Sequence, residues 1–105
     1  MPAETRNRVT LSGAITAIDT LRHTPAGLPL IHLKLAHQSV QVEAGIDRQT
    51  AFEVRAVAMG EIAVAASQFA TGDAITVQGF LAGERRSGSQ IGNQLVLHIT
   101  NIQRI

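Results

Sequence analysis

A chain of 105 residues is long enough for one hydrophobic core and too short for two, so a single domain over residues 1–105 is expected. Its 45% hydrophobic and 16% charged residues exclude a disordered chain, and the absence of cysteine excludes a disulfide framework and a thiolate metal site. A net charge of +1 excludes a surface that grips phosphate everywhere, so any nucleic-acid site must be local.

No apolar run approaches the roughly 18 to 20 residues that span a bilayer, and the opening MPAETRNR leads into no signal-peptide stretch. No membrane association and a cytoplasmic location are therefore expected. Residues 8–18 alternate, with Val9, Leu11, Gly13, Ile15 and Ala17 on one face and Thr10, Ser12 and Thr16 on the other, which predicts a half-buried strand. The glycine in its middle marks a bulge, a sharp coil or a close backbone approach. Residues 21–29, with Pro25, Gly27 and Pro29, read as a turn-rich connection.

From Leu30 the apolar residues fall first on odd positions (Ile31, Leu33, Leu35) and then on even ones (Val40, Val42), which predicts a β-bulge between Ala36 and Ser39. A loop over 43–48 precedes a third strand over 49–59, with Phe52, Val54, Ala56 and Ala58 inward and Ala51, Glu53, Arg55, Val57 and Met59 outward. Residues 61–70 change period: Ile62, Ala65, Ala66 and Phe69 recur at helical spacing, Glu61 sits in the first turn, and Gly72 is placed to stop the helix. Residues 74–82 alternate again with Ile75, Val77, Gly79 and Leu81 inward, then a glycine-punctuated loop over 83–92 joins a last strand over 94–102.

The order β-β-β-α-β-β, five strands with one short helix between the third and fourth, is that of the all-β oligonucleotide-binding (OB) barrel, whose helix plugs one end. Such barrels hold single strands with phosphate-facing cations and aromatic platforms. Candidate cations are Lys34 and Arg55 on the outer faces of the second and third strands, Arg48 closing the loop before the third, and Arg85 with Arg86 in the last loop. Aromatic candidates are few. There is no Trp or Tyr, Phe69 and Phe52 point inward, and Phe80 alone falls outward, as a stacking residue or the anchor of a dimer interface. His32 and His98 face solvent or a partner and add a weak stacking surface. The four histidines lack metal-ligand spacing, and no nucleophile motif, phosphate-cradling glycine loop or paired acid is present, so neither metal, cofactor nor catalysis is expected.

The blocks NRVTLSG (7–13), HQSVQVEAGIDRQ (37–49), ITVQGFL (75–81) and LVLHI (95–99), with the turn at 25–29, resemble the bacterial primosomal replication protein N (PriB) family over essentially the whole chain. That family is similar to single-stranded DNA-binding protein but lacks its acidic partner-recruiting tail, as is expected of this chain, which ends at Ile105. The resemblance implies a homodimer of OB domains that binds single-stranded DNA and docks onto the primosomal helicase, assembling helicase-loading proteins as stalled forks restart. It also implies DNA contacts by Arg22, Arg48 and Arg85, and Phe80 stands in a matching block. The sequence departs from the family where aromatic residues are frequent, with Ile46 and Ala51 in their place, and where basic ones are, with Gln38 and Glu84. Three readings follow: a DNA-binding module and a protein-interaction adaptor with weak DNA binding, which a salt-dependent titration of a labelled single strand separates, and an OB module that binds RNA, which competition between matched DNA and RNA strands tests.

Overall fold

The computed structural model describes residues 5–84, 92 and 94–105. They form β1 (Val9–Ile18), β2 (Arg22–His23), β3 (Pro29–Glu43), β4 (Ile46–Met59), α1 (Glu61–Ala66), β5 (Ala74–Glu84) and β6 (Gln94–Arg104). β1 pairs with β5, β5 with β6, β6 with β4, β4 with β3, and β3 returns to β1, closing a five-stranded barrel to which β2 adds a two-residue flap. Among the described residues only β4 and β6 run parallel, over Arg55–Val57 against Val96–His98. The helix lies between the third and fourth barrel strands, as the OB order requires.

Over Ile31–Leu35, Val54–Ala58 and Ile75–Val77 the inward set is the one that alternation selects. Ile15, Ile31, Leu33, Leu35, Ala56, Ala58, Ile75, Val77, Leu97 and Ile99 form one buried cluster, each large aliphatic contributing on the order of 1.5–3 kcal/mol. Ala63 and Ala66 seat α1 on this cluster, and Ile62 and Phe69 pack at its rim. Alanine matters here because a small side chain lets the helix backbone approach the barrel end closely. A Cβ on Gly13 would overlap the Ala36 carbonyl, so this glycine marks the close crossing of β1 and β3.

Several expectations are corrected. No bulge interrupts β3: its register with β4 runs unbroken from Leu30↔Met59 to Glu43↔Ile46. Val40 and Val42 are simply outside the barrel, 58% and 72% exposed, because the β3–β4 ribbon projects beyond the core. The bulges fall instead at Thr16 in β1, opposite Leu35 and Lys34, and at Thr100 in β6, opposite Gln78 and Gly79. The first of these turns Ala17 outward and Ile18 inward, reversing the predicted phase.

The loop over 43–48 is a two-residue turn, Ala44–Gly45, with φ of 54° and 76°, the left-handed geometry of a tight hairpin. The connection over 21–29 contains β2, where Arg22 pairs with Leu30 and His23 with Pro29. Phe52 is not inward: on the projecting ribbon it is 44% exposed and stacks on His37, ring centroids 5.0 Å apart. Val57 faces outward yet is buried, flanked by His32 and His98. The helix stops at Ala66, where the Ser67 hydroxyl donates to the Val64 carbonyl (2.6 Å) and the next two amides bond three residues back; Ala63 rather than Ala65 faces the core.

Candidate nucleic-acid interface

Strand register sorts the outer-face side chains into rows that cross the barrel. Directly opposed residues of neighbouring strands share a face and lie about 5 Å apart. His32 of β3 opposes Val57 of β4, Val57 opposes His98 of β6, and His98 opposes Phe80 of β5. One row therefore carries two imidazoles and a phenyl ring. The His98 and Phe80 rings stack with centroids 4.9 Å apart and planes 14° from parallel, and Phe80 is 40% exposed.

The row on one side of it holds Lys34 opposite Arg55, which in turn opposes Val96. On the other side, Arg22 of β2 opposes Leu30, and Leu30 opposes Met59. A groove of about 540 Å³ is walled by Leu30, Val57 and Met59 and edged by His32, His98, Lys34, Arg55 and the carboxylate of Asp19, with Phe80 and Arg22 beside it rather than in its lining. Stacking surface lies in the centre and cations on both flanks. This arrangement can accept flat bases between rows of phosphate contacts.

The charges are not all available. Glu84, the last residue of β5, grips the Arg55 guanidinium with both oxygens, at 2.5 Å from Nη1 and 3.4 Å from Nη2. Arg48 is ion-paired with Glu43 across the hairpin turn. Lys34 and Arg22 have no ion-pair partner among the described residues. The Glu53 carboxylate, on the same face, accepts a hydrogen bond from the Thr16 hydroxyl at 2.8 Å.

The structure thus brings Arg22, Lys34, Arg55 and Phe80 to one face. It leaves Arg48 apart, since alternation along β4 puts it on the opposite face of the ribbon from Arg55. Arg85 and Arg86 lie outside the described residues. Sequence reasoning missed two contacts, the Arg55–Glu84 pair and the His37–Phe52 stack. The second was within reach: a two-residue turn at 44–45 dictates that 37 opposes 52, so placing the turn places the pair. Among the described residues no group of three potential metal ligands gathers, and no helix is long and apolar enough to cross a membrane.

Residues 7–101 match the model of a family described as another single-strand binding protein family. A replication restart protein PriB from Nitrosomonas europaea is 41% identical over 100 residues, covering 95% of this chain and 89% of the relative. The solved structure of PriB from Ralstonia solanacearum superposes with a TM-score of 0.81 at 29% identity, covering 95% and 98% of the two chains. The single-stranded DNA-binding protein from Thermus aquaticus gives a TM-score of 0.76 at 26% identity, over 95% of this chain and 50% of that one. With its barrel, its helix position and this match over nearly its whole length, the chain belongs to the PriB family of replication restart proteins within the single-strand binding protein group.

Proposed function

We propose that this protein binds single-stranded DNA along the outer groove, as an accessory of replication restart in the cytoplasm. The observation that carries the reading is the juxtaposition of the His32–Val57–His98–Phe80 row with flanking rows that hold Lys34, Arg55 and Arg22. Bases stack on the imidazole and phenyl rings, while Lys34 and Arg22 meet phosphates. Arg85 and Arg86 contribute further phosphate contacts by charge, and Arg48 serves a neighbouring stretch of the strand. Held in this way, the strand is presented to the primosomal helicase and the helicase-loading proteins.

Titrating a labelled oligonucleotide at several salt concentrations tests this. Expected is binding whose logarithm falls linearly with the logarithm of salt, by about 0.7 per phosphate contact. Lys34→Ala lowers the affinity and flattens that slope by about one contact. An unchanged slope in this variant removes Lys34 from the site. The carboxylates already paired with Arg55 and Arg48 favour a second reading, an adaptor that binds protein partners with little help from DNA. Undetectable DNA binding at low salt selects it.

The same proposal includes a homodimer. Over Val9–Gly13, β1 is paired on one side only, with β5. Ile15 sends its amide and carbonyl toward Asp73 and Gly72, so by alternation Thr10 and Ser12 turn theirs to the unpaired edge. There the Ser12 carbonyl accepts a hydrogen bond from His37 Nδ1 at 2.6 Å. A second copy of β1 added to this edge removes the exposed pairing groups. Sedimentation at micromolar concentration is expected to give twice the monomer mass, and Thr10→Pro, which deletes one edge donor, is expected to return it to the monomer. A monomeric parent chain overturns the dimer.

A further inference from the structure

Two ion pairs hold arginines of the candidate site, and they differ in kind. Arg48 and Glu43 are five residues apart across a tight turn, a local pairing that hairpin geometry produces by itself. Arg55 and Glu84 are 29 residues apart in sequence, and the pair spans from β4 over β6 to the end of β5. Both line the groove, and both side chains are about half exposed, at 50% and 48%.

The contact is two-pronged: two guanidinium nitrogens face two carboxylate oxygens. That is also the geometry in which arginine grips a phosphate. Lys34, directly opposite Arg55, carries no such partner among the described residues. The groove therefore presents one open cation and one that is already engaged by an anion of the protein's own.

We infer that Glu84 is an internal stand-in for a DNA phosphate, occupying Arg55 until a strand seated on Lys34 displaces it. The inference rests on the single-strand reading and adds a gate to it. A single phosphate approaching Arg55 meets the Glu84 carboxylate and is repelled. A strand anchored by stacking on His98 and Phe80 and by Lys34 brings its next phosphate at high local concentration, which is what exchanges one anion for the other. The gate thus selects oligonucleotides over free phosphate-bearing molecules.

Glu84→Gln keeps the shape of the side chain and removes its charge. Exposed ion pairs contribute little to stability, so the variant is expected to melt within a few degrees of the parent. Its affinity for a labelled oligonucleotide at low salt should rise about three- to fivefold, with a salt slope steeper by about 0.7, one further phosphate contact. In an Arg55→Ala background the same change should give no rise.

An affinity that is unchanged or reduced in Glu84→Gln, with the parent binding, overturns the gate while leaving the DNA reading in place. An equal rise with and without Arg55 also overturns it, since Glu84 then acts only as a general negative charge. If the parent and every variant fail to bind at low salt, the DNA reading itself falls, and the gate with it. A parent that does not bind at low salt overturns the DNA reading of this chain, and the gate with it, even where Glu84→Gln binds.

Discussion

Gly79→Ala is expected to cost about 3 kcal/mol and to lower the melting temperature by roughly 12–24 °C, its added methyl meeting the closest contact among the described glycines. Gly79 faces the bulge at Thr100, where β6 opposes β5 with one residue too many. A Cβ at this position would overlap the His98 carbonyl oxygen and press on the Ile99 Cα. These are backbone atoms, so no side-chain rotation relieves the clash. Relief requires β6 to move, and β6 carries the buried Leu97, Ile99 and Ile102 as well as His98 of the groove. Thermal unfolding followed by circular dichroism checks this, and a variant that melts within a few degrees of the parent shows that the strands do not approach so closely. A loss of DNA affinity accompanies the loss of stability, because the His98–Phe80 stack is built on the same crossing.

Removing that stack is the second large effect. Phe80→Ala and His98→Ala are each expected to weaken oligonucleotide binding by about 1–3 kcal/mol, roughly 5- to 150-fold, with the salt slope unchanged, because a stacking contact releases no counterions. The two losses should fall short of additive. The rings lean on each other 4.9 Å apart, so deleting one leaves the other without its support. Fluorescence anisotropy of both single variants and the double variant, at two salt concentrations, reads affinity and slope together. If Phe80→Ala binds like the parent but sediments as a monomer, Phe80 anchors the dimer and the platform belongs elsewhere. Neither residue belongs to the buried core cluster, so the barrel should persist in all three variants.

The stacking row also accounts for how this chain departs from its family resemblance. Ile46 and Ala51 stand where aromatic residues are frequent, and both lie on the projecting ribbon, exposed. The imidazole rings of the groove and the neighbouring Phe80 ring sit on the barrel wall, held in place by strand register. A platform on the wall is stiffer than one on a two-stranded arm. Under the proposed single-strand reading, stacking is expected to depend on barrel integrity more than on the position of the hairpin.

How far the sequence reaches can be judged from particular residues. Strict alternation over Ile75, Val77 and over Ile31, Leu33, Leu35 identified inward positions, because a strand buried on one face leaves a period-two trace. The same rule failed at Val40 and Val42. Alternation records which side a residue faces and not whether a core lies on that side, and beyond Ala36 there is none. It failed at Ala17 because a bulge needs only one extra residue and leaves no compositional mark. Phe52 was misplaced for a different reason from Val40, which unbroken register puts on the outer face: Phe52 shares the face of Val54, but the barrel ends before it.

Composition and periodicity alone determined that this chain is a small all-β unit with one helix after its third long strand, and that Lys34, Arg55 and Phe80 face outward. These are local properties, written in the spacing of apolar residues within each segment. Only the tertiary structure decided which outward residues meet. His98 reaches Phe80, and Arg55 reaches Glu84, through pairings between strands far apart in sequence, and one bulge at Thr100 shifts that register by a residue. Register between distant strands is set by closure of the whole barrel around its core, so no single segment carries it.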